Sequence, residues 1–102
     1  MIRVYADRRG EKCRLLVLGH ASSTPEGRLV CAAVSALTQA LVSYAKNNPV
    51  CRHVRAKSEV GSLFLSCSSG LGGAFDMIAQ ALLQLADEYP QNVAYCTEKS
   101  PI

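Results

Sequence analysis

The sequence lacks the cysteine patterns that stabilise small secreted domains or bind zinc. It has five cysteines, an odd number, and no two of them form a C-x-x-C pair. Only two histidines are present, His20 and His53, and their spacing from the cysteines does not suit a zinc site. A disulfide framework and a metal site are therefore not expected. Because Met1-Ile2-Arg3 leads straight into a strand pattern without a secretory signal, we expect a cytoplasmic protein that uses no metal or other cofactor.

Long apolar runs are also lacking. The run from Leu15 to Leu18 is short and lies between Arg14 and His20, so we expect no membrane-spanning segment. The chain has 102 residues, of which 49% are hydrophobic and 19% charged, and it contains no repeat or low-complexity segment. These values are typical of one small globular domain covering residues 1–102, in which any active site has to be a surface groove.

Charge of one sign is not present in large excess. The net charge is +3, and the basic residues concentrate near the N-terminus, at Arg3, Arg8, Arg9, Lys12 and Arg14. Neither a broad basic stripe nor a known nucleic-acid-binding module accompanies them, so we expect no direct nucleic-acid binding. Solvated strand edges around a hairpin account for such charges.

The order of secondary-structure elements follows from hydrophobic periodicity and turn residues. Two strand pairs are predicted, at residues 2–8 and 13–18 and at residues 50–59 and 62–68, with a last short strand at residues 92–97. Two helices are predicted, at about residues 29–46 and at residues 75–89. Asn47-Asn48-Pro49 and Pro90 end the two helices. This order, ββαββαβ, predicts an α+β domain with a small, mostly antiparallel sheet and two helices packed on one of its faces.

The first predicted helix has an apolar face and a second stripe of chemically useful residues. The apolar face comprises Val30, Val34, Leu37, Leu41 and Tyr44. Cys31, Ser35 and Thr38 share a stripe beside that face, because residues three and four positions apart are neighbours on a helix. This stripe can line a site while the apolar face fills the core.

A histidine and a cysteine that lie close together in sequence are candidates for a catalytic pair. His20 follows an apolar strand, and Cys31 lies near the start of the next helix, in the first turn of the predicted element. Helix N-terminal N–H groups favour the thiolate form of a cysteine and can also stabilise the oxyanion formed at an attacked carbonyl. His20 would serve as the general base, and Ser35 either orients the imidazole, contacts substrate or bonds to its own helix backbone.

The connection between the pair, residues 21–28, has the small-residue, proline and glycine composition of a mobile loop. It could close over a bound substrate, which makes its polar and charged side chains candidate substrate contacts. These are Ser22, Ser23, Glu26 and Arg28.

Gly19-His20-Ala21 together with Leu29-Val30-Cys31-Ala32-Ala33-Val34-Ser35-Ala36 resembles the signature of the ribosomal-processing cysteine protease family, called Prp or YsxB-like. The resemblance spans the chain and implies a small, dimeric, cytoplasmic bacterial protease. It implies that His20 and Cys31 are the catalytic dyad and that Ser35 matches a serine of the active-site helix. The implied substrate is the precursor of large ribosomal subunit protein 27, from which such proteases remove an N-terminal extension during ribosome assembly.

The chain departs from the family pattern at two points. Arg28 stands where members commonly carry an Asp, which removes a favourable helix cap, and the loop between His20 and Cys31 is slightly short, with Glu26 as its only acidic residue. Recognition of a basic substrate tail is therefore expected to differ. A related protease acting on phage proteins, or a non-enzymatic ribosome-associated binding module that uses the basic hairpin, are the alternatives.

Overall fold

The computed structural model describes residues 1–97, 100 and 101, and within them it contains five strands and two helices. In chain order these are β1 (Ile2–Arg9), β2 (Lys12–Leu18), α1 (Pro25–Asn47), β3 (Arg55–Glu59), β4 (Ser62–Cys67), α2 (Gly72–Glu88) and β5 (Val93–Tyr95). The predicted order ββαββαβ is confirmed.

The strands form one five-stranded sheet in the order β3-β4-β2-β1-β5. Antiparallel pairing joins β1 to β2, β2 to β4 and β3 to β4, whereas β5 pairs with β1 in parallel. The sheet is therefore mostly antiparallel, as predicted. The central position of β2 matters for the site, because it places the end of this strand, at Leu18, beside the turn that joins β3 to β4.

One face of the sheet packs against both helices. Strand register puts Val4 opposite Val17, Leu15 opposite Leu65 and Cys13 opposite Cys67. Alternate residues of a strand lie on the same face, so these side chains form one apolar layer. They share a single buried cluster with side chains of the helices, among them Val30, Leu41, Phe75, Ile78 and Leu82. This confirms the α+β fold with two helices on one face of the sheet.

Helix α1 begins four residues earlier than predicted. It starts at Pro25, whose fixed φ suits the first helical position, and the side chain of Thr24 caps it by accepting a hydrogen bond from the Gly27 N–H at 3.1 Å. The prediction of a mobile loop over residues 21–28 is therefore wrong for residues 25–28, which are helical. Arg28 does not leave the helix uncapped, since it lies inside the first turn.

The buried face of α1 also differs from the predicted face. Thr38 is buried and satisfies its hydroxyl by donating to the Val34 carbonyl oxygen at 2.8 Å, whereas Tyr44 is exposed. Contrary to expectation, the helix reaches the length and apolar composition of a membrane span, with 23 residues and a mean hydropathy of 1.4 over an 18-residue window. One such helix is weak evidence for a membrane, because core helices meet the same criteria, and this one packs its buried face on the sheet.

Two other predicted boundaries change for local reasons. Strand β3 begins only at Arg55, because His53 adopts a positive φ of 54° and Arg52 makes an isolated bridge to Ser69. Helix α2 begins at Gly72, three residues before the predicted start at residue 75, so Gly72 and Gly73 lie in its first turn.

Candidate active site

His20 lies directly after β2, and its position depends on the β3–β4 turn. The Gly19 N–H donates to the Gly61 carbonyl oxygen at 2.9 Å, which ties the two segments together. The imidazole ring packs on Gly61, where a Cβ atom would come within 2.7 Å of His20 Nε2. Gly61 has a φ of +76°, a backbone conformation that favours glycine. Gly61 therefore gives the ring both the turn and the space that it needs.

Cys31 lies in the second turn of α1, as the seventh residue of the helix. The prediction that it occupies the first turn is wrong, because the helix starts at Pro25. Its own N–H lies beyond the unpaired N–H groups of the helix start, and the effect of the helix dipole falls off within the first turn. The sulfur instead accepts a hydrogen bond from the Ala21 N–H at 3.4 Å. The residue after His20 thus supplies the donor that the helix start cannot supply.

His20, Cys31 and Ser35 line the same cavity, of about 200 Å³. One wall is α1, where Thr38 and Gln39 continue the stripe that Cys31 begins. The other wall is the β3–β4 hairpin, with Ser58, Glu59, Gly61 and Ser62. Gln39 Nε2 donates to Ser58 Oγ at 3.1 Å across the groove, and Glu59 pairs with Lys57 at 3.4 Å. Cys31, Ser35 and Thr38, the predicted stripe, all line this cavity.

The four residues predicted to contact substrate from the loop lie elsewhere. None of them lines this cavity in the described part of the chain. Ser22 and Glu26 are both hydrogen-bonded to Asn92, and Ser23 and Arg28 are exposed. The substrate-contact role therefore remains a prediction without geometric support. Asn92 itself was missed, because nothing in its local sequence marks it.

The other thiols occupy different environments from Cys31. Burial raises the pKa of the Cys13 thiol to about 11. Burial also raises the pKa of Cys51, with a further contribution from the neighbouring Cys67 thiol. All five cysteines are free, and no group of three or more His, Cys, Asp or Glu side chains among the described residues could hold a metal ion.

A larger cavity of about 880 Å³ contains neither His20 nor Cys31. Tyr5, Arg14, Leu16 and Phe64 line it, and strand register places these four on the sheet face that carries no helix. The Arg14 guanidinium lies 5.8 Å from the centre of the Phe64 ring. Its described lining contains the Cys96 thiol but no histidine to act as a base, so this cavity is not the candidate active site.

The smaller cavity brings an imidazole and a thiol together, and the N–H of Ala21, a residue that is not among those lining the cavity, donates to the thiol sulfur. No hydrogen bond joins the imidazole to Sγ directly within the described residues, and catalytic hydrogen bonds are often long in structures without substrate. A thiol activated by a neighbouring base is the arrangement used for nucleophilic attack on carbonyl carbon.

Comparison with known proteins gives a family and a set of similar folds. The model of the family described as cysteine protease Prp matches residues 1–94. The structure of SMU.848 from Streptococcus mutans superposes with a TM-score of 0.73 at 23% identity, covering 93% of this chain and 91% of that one. An essential ribosomal processing protease Prp from S. aureus, in complex with a substrate peptide, gives 0.75 at 19% identity, with 94% and 98% covered. Among curated proteins, none matches significantly.

Proposed function

Because this chain belongs to the Prp family of cysteine proteases, we propose that it is an endopeptidase with Cys31 as nucleophile and His20 as general base. The observation that carries the assignment is the shared cavity: the only thiol and the only imidazole among its described lining residues are these two. Ser35, one turn along α1 from Cys31, faces the same space. We propose that it supports the site by contacting the imidazole or the substrate.

The proposed reaction has two halves. The imidazole of His20 takes the proton of the Cys31 thiol, and the sulfur attacks the scissile carbonyl carbon to form a tetrahedral oxyanion. Collapse of this intermediate breaks the C–N bond, and His20 gives its proton to the leaving amine. A water molecule then attacks the thioester, with His20 again taking a proton, and releases the carboxylate product and the free thiol.

We propose that the substrate is the N-terminal extension of large ribosomal subunit protein 27. Two findings support it: the family match, and the likeness of the fold to a ribosomal processing protease whose structure holds a substrate peptide. A groove between α1 and the β3–β4 hairpin, rather than a closed pocket, suits an extended peptide. Five free cysteines agree with action in the reducing cytoplasm.

We further propose that the protein works as a homodimer. The resemblance to the family supports this, as do the two sheet edges, at β3 and β5, that no further strand covers in the described chain. Light scattering of the purified protein measures the mass in solution, and a monomer at working concentration would contradict the proposal.

Incubation with a peptide that copies the extension of ribosomal protein 27 tests the function. The unmodified protein should cut the peptide, and Cys31→Ala should not, whereas Cys51→Ala is the control that removes a different free thiol. Identical cleavage by the unmodified protein and Cys31→Ala, or no cleavage by either, would contradict the proposal. Salt-sensitive binding to precursor ribosomal particles that survives Cys31→Ser, without cleavage, would favour a binding module instead.

A further inference from the structure

The donor on the Cys31 sulfur is a backbone N–H in a loop, so something has to hold that loop in place. Ala21 lies between the end of β2 and the start of α1, and it has no regular secondary structure of its own. Its N–H nevertheless lies 3.4 Å from Cys31 Sγ. On the His20 side, the carbonyl oxygen of the same peptide unit accepts a hydrogen bond from the Met1 amino group. On the other side, the residues after Ala21 need an anchor of their own.

Asn92 is the anchor. It is 3% exposed, and its side-chain oxygen accepts hydrogen bonds from the Ser22 N–H at 3.2 Å and from the Ser22 hydroxyl at 3.1 Å. Its side-chain nitrogen donates to Glu26 Oε2 at 3.2 Å. One amide group therefore joins the residue after Ala21 to the first turn of α1.

The backbone of Asn92 is itself fixed by the fold. Its carbonyl oxygen accepts from the Ile2 N–H at 2.8 Å, at the start of β1, and its N–H donates to the Tyr89 carbonyl oxygen at 2.9 Å, at the end of α2. Because both bonds join it to elements of the core, the position of the amide is set by the folded domain and not by the loop.

We propose that the Ala21 N–H is a hydrogen-bond donor at the reacting centre and that Asn92 is the positioning residue that holds it there. This inference rests on the proposed function. Before reaction the N–H favours the thiolate, since hydrogen bonds to a charged acceptor are the stronger ones. After attack the sulfur is neutral, and the negative charge lies on the oxygen of the carbon bonded to it, within reach of the same N–H.

Two N–H groups of α1 that could replace this donor are already paired. Cys31 lies in the helix interior, where its N–H is paired within the helix. The N–H of Gly27, near the helix start, is taken by the Thr24 side chain. The Ala21 N–H is the backbone donor whose hydrogen bond to the Cys31 sulfur the structure shows.

Two substitutions at Ala21 test the donor. Ala21→Pro removes the N–H, and we expect kcat to fall by about 10²- to 10³-fold, the usual effect of losing one oxyanion donor, with a smaller change in KM. Ala21→Gly retains the N–H and should keep most of the activity. Thermal unfolding of both variants establishes that each is folded.

Substitutions at Asn92 test the positioning role. Asn92→Asp keeps an oxygen for Ser22 but sets a carboxylate beside that of Glu26, so kcat should fall. Adding Glu26→Gln to Asn92→Asp exchanges donor and acceptor across the same contact, and it should restore most of the lost activity. If Asn92→Asp lowered kcat only through a general loss of structure, the Glu26→Gln substitution would not restore it.

Alkylation of the thiol with iodoacetamide separates this proposal from the proposed function, because it needs no peptide substrate. Trypsin releases Cys31 in the segment Leu29–Lys46, which contains no other cysteine, and Cys51 in Asn47–Arg52 as an internal reference. In Ala21→Pro and Asn92→Asp, alkylation of Cys31 at neutral pH should be about tenfold slower than in the unmodified protein, because the hydrogen bond to the attacking sulfur is lost. The double variant should recover the rate, and the Cys51 rate should not change.

The two failures are distinguishable. If no peptide is cut but the alkylation rates differ as expected, the substrate assignment fails and the hydrogen bond to the sulfur stands. If folded Ala21→Pro and Asn92→Asp alkylate at the unmodified rate, the proposed role of the Ala21 N–H is overturned. Loss of peptide cleavage in Asn92→Asp without rescue by Glu26→Gln overturns the role of Asn92.

Discussion

Gly61 offers a sharp test of whether His20 has to occupy its observed position. In Gly61→Ala the new Cβ would lie 2.7 Å from His20 Nε2 and 3.3 Å from Cε1. Ordinary contact requires about 3.5 Å, so the ring has to move by about 0.8 Å. The ring ends an exposed side chain, and it can move at little cost in stability. The expected damage is therefore to catalysis, because misplacing a reacting group by this much can reduce the rate by about 100-fold.

Gly10→Ala is the matched control. Gly10 has a φ of +61° in the β1–β2 turn, close to the +76° of Gly61, but no atom lies within 4 Å of the position of its Cβ. Both variants force alanine into the left-handed conformation, which costs about 1–2 kcal/mol. In a domain of this size, each kcal/mol lowers the Tm by roughly 4–8 °C. The two variants should therefore melt at similar temperatures.

Peptide cleavage then separates the two variants. We expect kcat/KM to fall by about 10- to 100-fold in Gly61→Ala and to change little in Gly10→Ala, with Tm values measured on the same samples by circular dichroism. Equal activity of the two variants would refute the reasoning, because it would mean that the observed ring position is not the catalytic one. A Tm much lower in Gly61→Ala than in Gly10→Ala would instead show that the His20 ring cannot move away from the new Cβ.

Two further predictions follow from the packing of Gly27 and of Cys13. In Gly27→Ala the Cβ would lie 2.0 Å from the Ser22 carbonyl oxygen, which is a backbone atom. We therefore expect the free energy of unfolding to fall by about 1–3 kcal/mol. We also expect a lower kcat, because the loop that carries Ala21 has to shift. Gly73→Ala is the control, because Gly73 also lies in the first turn of a helix but has no atom within 4 Å of its Cβ position. This variant should be neutral or stabilising. If both variants unfold alike in urea, the contact with Ser22 does not constrain the chain. The folded-state pKa of Cys13, about 11, lies above its ordinary 9.0, so its contribution to stability is complete below pH 9 and is lost as the pH rises towards 11. Urea unfolding across that range should show a smaller decline in Cys13→Ala, and an equal decline in both proteins would contradict the assignment.

The secondary-structure order was predictable because the apolar periodicities are local and strong. Phe75, Ile78 and Leu82 recur at helical spacing and are buried in α2, as predicted. The start of α1 was missed although Thr24-Pro25-Glu26 carries a recognisable signal, with a capping hydroxyl, a proline at the first helical position and an acidic first turn. The small residues around it, including Gly27, favoured a loop. Gly27 is buried in the helix because Ser22 packs directly against it.

The candidate site was predictable only in part. His20, Cys31 and Ser35 were identified from their residue types and from a resemblance, and the fold does bring them to one cavity. The predicted help from the helix start was wrong, because α1 begins four residues before the predicted boundary and leaves Cys31 in its second turn. Ser22 and Glu26 were assigned to substrate, yet both are hydrogen-bonded to Asn92, about seventy positions along the chain.

The amino-acid sequence by itself determined the elements and the candidate nucleophile and base, because periodicity, turn residues and thiol and imidazole chemistry belong to short segments. Tertiary structure decided what surrounds them: the glycine under the His20 ring, the N–H on the Cys31 sulfur and the buried amide that holds it. These contacts join residues from β2, α1, the β3–β4 turn and the start of β5. They exist only once strand order and helix packing bring distant segments within hydrogen-bonding distance, and no local pattern encodes that proximity.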